Sequence, residues 1–307
     1  MWNKKIIFMG TPNIAAQHLN TLIENKLNIA GVFTQPPRKK NRGMKVEETE
    51  VHKIANKNNI DIYYPTKIDE TIIEKTKSLK PDLVIVIAYG IILPEKFLEI
   101  PKHGCINIHV SLLPRWRGAA PIEHALLAGD DETGISIISL SSELDAGDIL
   151  LDEKLTIDKN VYSDELTLYL SDLGQKSMMK VLPNIFENKI LPKKQDKNEI
   201  TYAKKFSSDD RKINFNLSSE KVFNHIRAHG PKPGSWFLYN GERIKILKAI
   251  KVNQVGKKST ILSKNFHLSC DDGSILPTLI QREGKKPVSL EQFLLGFTFS
   301  INDQLNA

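Results

Sequence analysis

Short apolar runs alternate with amphipathic stretches through the first half of the chain. Residues 5–9, 29–34, 82–88, 105–109 and 134–140 are dense in Ile, Val, Leu and Phe and predict strands. The run 82–88 is apolar after Asp82, as expected of a strand covered on both faces. Between them, 14–25, 68–79 and 121–127 place apolar residues three and four positions apart and predict helices. Strand and helix in turn at this length imply βαβ units, hence an α/β fold with a Rossmann-like doubly wound parallel sheet.

The second half changes character. Ser163 reads as an N-cap of a long helix with Leu166, Tyr169, Leu170 and Leu173 on one face, its regular part limited by Pro183. Residues 189–206 are rich in Lys, with Gln195 and Asn198 among them, and read as a linker between a domain at 1–188 and another at 207–307. The latter holds a short helix at 219–228. Small β-like runs follow at 243–250, 259–262, 267–270 and 275–280, a pattern of compact β domains.

Charge sharpens that division. The 307 residues carry a formal net charge of +7. Residues 1–204 hold 27 basic and 27 acidic side chains, whereas 205–307 hold 16 and 9, so the whole excess lies in the last third. A concentrated positive field attracts polyanions, and nucleic acid is the common one. A second cluster, Arg38, Lys39, Lys40, Arg42 and Lys45, follows Pro36 and Pro37 in a loop. The longest apolar run, 83–93, is too short to span a bilayer, and the N-terminal apolar run is too short for a signal peptide. A cytoplasmic, membrane-free protein is expected, with monomer as the default.

The candidate chemistry sits at the end of strand 105–109. Alternation puts Asn107 and His109 on one face and Ile106, Ile108 and Val110 on the other. Asp145, in a turn-like Asp-Ala-Gly-Asp, is far enough downstream to return from another loop. An amide can donate to a developing oxyanion, an imidazole can move a proton, and a carboxylate can orient the imidazole or accept a proton through water. None is a strong nucleophile, so direct transfer at a carbonyl carbon fits better than a covalent enzyme intermediate.

The turn after the first strand lacks the dinucleotide glycine fingerprint, and no phosphate-binding P-loop occurs, so no nucleotide cofactor is expected. Cys105 and Cys270 form no CxxC pair, and His103, Cys105 and His109 match no zinc spacing; no metal is expected.

Asn107, His109, Ser111 to Pro114, Arg117, Gly118, Pro121 and Asp145 together resemble the signature of the folate-dependent formyltransferases. The likeness runs nearly end to end. Phe8 to Pro12, Gln35 to Arg38, Asp210 to Asn214, His225 to Arg227, Pro233 to Trp236 and Gly284 to Pro287 resemble the members that act on methionyl initiator tRNA.

The resemblance implies a formyltransferase-type sheet followed by a small OB-like β-barrel. It implies 10-formyltetrahydrofolate as co-substrate, with a folate pocket of Tyr89, Gly90, Ser111, Leu112, Leu113 and Pro114. Catalysis falls to Asn107, His109 and Asp145. The tRNA contacts fall to Arg38, Lys39, Lys40, Arg42 and Lys45, at the acceptor stem, and to Lys204, Lys205, Arg211 and Lys212. Val110 stands where the family usually has Gly, which is costless only if its φ is negative. Two alternatives stay open: a small-molecule formyltransferase or formyl-folate hydrolase, and a non-catalytic RNA-binding protein on the same scaffold.

Overall fold

The computed structural model describes residues 3–40 and 45–306. Its first elements are β1 (Lys5–Gly10), α1 (Asn13–Glu24), β2 (Asn28–Phe33), β3 (Arg38–Lys40), β4 (Lys45–Glu47), α2 (Glu50–Lys57) and β5 (Ile62–Tyr63). Next come α3 (Glu70–Leu79), β6 (Leu83–Ile87), α4 (Glu95–Leu98), β7 (Cys105–His109), β8 (Arg117–Gly118), α5 (Pro121–Ala128) and β9 (Glu132–Ser139). The rest are β10 (Ile149–Thr156), α6 (Ser163–Phe186), β11 (Tyr202–Ala203), α7 (Ser219–His229), β12 (Ser235–Tyr239) and β13 (Glu242–Val252), then β14 (Leu268–Ser269), β15 (Ser274–Arg282), β16 (Val288–Ser289) and α8 (Leu290–Gly296).

The chain divides into two compact units, each assembled from three stretches. The first is Met1–Gly118, Gly134–Leu155 and Leu168–Tyr202; the second is Ala119–Thr133, Thr156–Thr167 and Ala203–Ala307.

The first unit is built on a seven-stranded sheet in the order β10-β9-β7-β6-β1-β2-β5. From β7 to β5 the strands are parallel. β9 runs antiparallel to β7, with His109 opposite Ser136. The chain leaves β7 at its carboxyl end and re-enters the sheet at that same edge, so β9 must reverse. Gly10, Ile87 and His109 therefore end neighbouring strands on one edge, where ligands of such sheets bind. Gly10 is required there: a Cβ would stand 2.5 Å from the Ala15 Cβ and 3.0 Å from the Ile87 carbonyl.

One face is filled by Ile7, Met9, Phe33, Val84, Val86 and Phe97. α1 buries Ala15, Ala16, Leu19 and Leu22, with His18 among them. Thr49 caps α2 through a bond from the His52 N–H, and Asp69 caps α3 through one from Ile72. Contrary to the sequence reading, α6 passes through Pro183 to Phe186. Proline removes one N–H near the end of the helix, and Glu187 still bonds back to the Pro183 carbonyl at 3.0 Å. Residues 189–202, polar in composition, pack within this unit: Lys193 exchanges both backbone bonds with Ile149.

The second unit carries an antiparallel sheet, β12-β13-β15-β14, with β16 paired to β15. Stretch 259–262 forms isolated bridges in place of the expected strand, Ile261 to Leu268 and Thr260 to Gln304. The Asn306 N–H then bonds the Leu238 carbonyl on β12 at 2.8 Å. Residues 302–306 thus join the free sides of the sheet, which closes it as the OB-like expectation requires. Phe237, Ile244, Ile246, Phe266, Ile275 and Ile280 fill the interior. The Tyr162 hydroxyl donates to the Ala249 carbonyl at 3.1 Å and accepts its N–H at 2.9 Å.

Candidate active site

The end of β7 and the loop before β10 bring the three expected side chains together. Asn107 Nδ2 donates to Asp145 Oδ1 at 3.2 Å. The Gly118 N–H donates to Asp145 Oδ2 at 2.9 Å, and His109 Nδ1 stands 3.6 Å from the same oxygen. His109 Nε2 lies 2.9 Å from the Trp116 carbonyl. Nε2 therefore makes the ring's hydrogen bond, while Nδ1 faces the carboxylate across a gap wider than a hydrogen bond. His109 and Asp145 are 6% and 8% exposed, so their interaction is little screened by water.

Asp145 adopts a left-handed conformation, φ +49°, which aspartate tolerates better than most side chains but which its surroundings still have to hold. Gly147 anchors one side, lying so close to β9 that a Cβ would fall 1.6 Å from the Ser139 carbonyl. Gln195 anchors the other. Its amide donates to the Asp145 and Gly147 carbonyls, both at 2.8 Å, and its oxygen accepts from Arg117 Nε at 3.0 Å and Nη2 at 2.7 Å. Sequence reading missed Gln195, because nothing in a Lys-rich polar stretch marks one glutamine as packed.

The expected folate residues divide by exposure. Ser111 and Leu113 are buried and hold their own loop: Ser111 Oγ donates to the Arg115 carbonyl at 2.7 Å, and the Leu113 N–H donates to Ser136 Oγ at 2.9 Å. Leu112 and Pro114 are half-buried. The Tyr89 ring lies in the core at 2% exposure, and burial pushes its phenol up; its carbonyl accepts from Gln35 Nε2 at 3.0 Å. Gly90 turns the chain at φ +78°. Val110 is not among the residues of positive φ, so it replaces the family's usual glycine without that strain. Two cavities of the first unit, about 790 and 300 Å³, are lined by none of the catalytic trio. Cys105 and Cys270 are buried, each thiol pushed up to about 12, which fits packing and not chemistry.

Of the expected nucleic-acid contacts, Arg38 is exposed on β3, which pairs with β4 in a small hairpin. Arg42 lies outside the described residues, as do the side chains of Lys39, Lys40 and Lys45. In the second unit Lys204, Lys205 and Lys212 are exposed and Arg211 is half-buried. Trp236 sits among cations there, with the Arg243 guanidinium 4.0 Å and Lys212 Nζ 5.8 Å from its ring.

Comparison with known proteins places the chain in a family. The formyl transferase family model matches residues 4–182, and that of the formyl transferase C-terminal domain matches 205–298. A methionyl-tRNA formyltransferase of Ehrlichia canis is 40% identical over 95% of this chain and 97% of its own. The chain belongs to the methionyl-tRNA formyltransferase family. The same-named protein of a Wolbachia of Drosophila simulans is 41% identical over 97% of this chain and 98% of its own. Among solved structures, an N-formyltransferase of Helicobacter canadensis, in complex with folinic acid and dTDP-3-aminofucose, shares the fold. It has a TM-score of 0.69 at 23% identity, over 92% of this chain and 100% of that one. The chain is thus a one-carbon group transferase with a Rossmann-like sheet and a second antiparallel one. Among the described residues no helix is long and apolar enough to cross a membrane, and no group of three or more His, Cys, Asp or Glu could hold a metal ion.

Proposed function

We propose that the protein transfers the formyl group of 10-formyltetrahydrofolate to the α-amine of methionyl initiator tRNA, for translation initiation, acting as a cytoplasmic monomer. The observation that carries this reading is the buried Asp145 carboxylate joined to Asn107 and Gly118 beside His109 in a chain of this family. A free α-amine titrates at about 7.7–8.0, so a useful neutral fraction attacks the formyl carbon without a strong base. Negative charge builds on the formyl oxygen and positive charge on the attacking nitrogen.

Asn107 spends one amide N–H on Asp145 and keeps a second for the oxyanion, a donor worth about 2.7–4 kcal/mol. His109 supplies positive charge nearby, and Asp145 accepts the amine proton through water. The oxyanion then re-forms the carbonyl as the bond from the formyl carbon to the folate N10 breaks, and N10 leaves with the proton that Asp145 returns through water. The folate lies against Tyr89, Gly90 and the loop from Ser111 to Pro114, of which Leu112, Pro114 and backbone groups have free surface. Arg38, Lys39, Lys40, Arg42 and Lys45 meet the acceptor stem. Lys204, Lys205, Arg211 and Lys212 meet phosphates, adding affinity without sequence information.

The test is transfer of labelled formyl from 10-formyltetrahydrofolate to methionine-charged initiator tRNA, with charged elongator tRNA and an amino-sugar nucleotide as competing acceptors. Formylation of the initiator alone supports the proposal. Formylation of the sugar, or free formate, identifies the small-molecule alternative.

A further inference from the structure

Asp145 is held at both ends by one connected ring of contacts. Its carboxylate accepts the Gly118 N–H, and the neighbouring Arg117 sends its guanidinium to Gln195. Gln195 in turn donates to the Asp145 carbonyl, which closes the ring. The glutamine is saturated: two N–H groups meet two carbonyls, and its oxygen takes the Arg117 fork. Arg117 is 6% exposed, so its hold on Gln195 is shielded from water. The 3.6 Å gap between His109 and Asp145 exceeds an ordinary hydrogen bond. The carboxylate is set by its bonds to Asn107 and Gly118, so the placement of the loop that carries it also sets its distance to His109. The left-handed backbone at Asp145 has to be held by its surroundings, and the clamp holds it.

We propose that Gln195 is a positioning residue for formyl transfer, fixing the Asp145 loop so that its carboxylate faces Asn107 and His109. The inference rests on the proposed reaction and deepens it. Gln195 touches no reacting atom. Its removal lowers kcat while leaving KM for tRNA and folate nearly unchanged, because a misplacement of about 1 Å costs up to about 100-fold in rate.

Two variants separate its two ends. Gln195→Glu keeps an acceptor for Arg117 but as a carboxylate cannot donate to the two carbonyls; Gln195→Leu loses both. Expected is a fall in kcat of about tenfold or more in both, with each KM within about twofold of wild type. A second readout is independent of turnover: the Asn107 side-chain amide signals in a 1H–15N spectrum, expected to shift in both variants as Asp145 leaves that amide. Wild-type kcat in either variant, or unmoved Asn107 signals, overturns the role of Gln195. So does a lowered melting temperature with kcat retained, the mark of a merely structural strap. Wild-type protein that fails to formylate methionyl initiator tRNA overturns the proposed reaction instead, and the Asn107 signals then decide on Gln195 alone.

Discussion

Asn107 donates its side-chain amide to Oδ1 of Asp145 at 3.2 Å, across 38 positions of sequence. The bond fixes which way the amide faces, with its nitrogen toward the carboxylate and one N–H to spare. Asn107→Leu should lower the single-turnover transfer rate about 100- to 1,000-fold, the usual cost of one oxyanion donor, with substrate affinity retained. Rapid-quench kinetics with saturating folate and tRNA read both quantities.

Asn107 and His109 were legible because a strand presents alternate residues on one face, and their spacing of two says so without any tertiary knowledge. Asp145 was found through the family signature; taken alone, its segment reads as an ordinary turn. Gln195 was invisible because its partners, Arg117, Asp145 and Gly147, are contributed by other loops. Helix α2 was missed as a short element whose buried face is only Val51 and Ala55. Strand β10 was missed because its polar half, Asp152 to Lys154, breaks the apolar pattern. Barrel closure depends on isolated bridges at 260, 261 and 304, which leave no periodicity to read.

Acid should weaken the first unit through His18. The imidazole is fully buried, and burial lowers its pKa to about 4 from an ordinary 6.5. Between those values the unfolded chain binds more protons than the folded one, so stability falls as pH drops through that window. The loss is roughly 3 kcal/mol for this one group. Denaturant unfolding at pH 7, 5.5 and 4 should show a smaller acid loss in His18→Gln than in wild type. A residual loss remains from the other groups that lose stability in acid, among them His229, which burial holds down to about 3, and the lowered His103 and His225.

The second unit depends on a buried cation. Arg227, 4% exposed, donates through Nε to Asn224 Oδ1 at 2.8 Å. Asn224→Leu leaves that guanidinium only the longer bond from Nη1 to the Asp158 carbonyl, at 3.4 Å, and should cost about 1.5–3 kcal/mol, the worth of a hydrogen bond to a charged group. Thermal unfolding would register it, and Arg227→Leu combined with Asn224→Leu should recover part of the loss.

Binding of tRNA should be strongly salt-dependent. Replacing Lys204, Lys205, Arg211 and Lys212 by Ala should lower the slope of log Kd against log salt by about 0.7–0.9 for each phosphate that is no longer neutralised. Filter binding from 50 to 300 mM salt measures that slope. Single-turnover rates at saturating tRNA should stay near wild type, since none of the four lies at the reacting carbon.

The most direct test of the account is the single-turnover rate of formyl transfer to methionyl initiator tRNA in wild type and Asp145→Asn. The substitution keeps shape and an acceptor oxygen but removes the charge beside His109 and the site for the amine proton. The account predicts a fall of about 100- to 10,000-fold, the range of a lost general base, with folate and tRNA affinity unchanged. An Asp145→Asn protein that transfers formyl within threefold of wild type would contradict it.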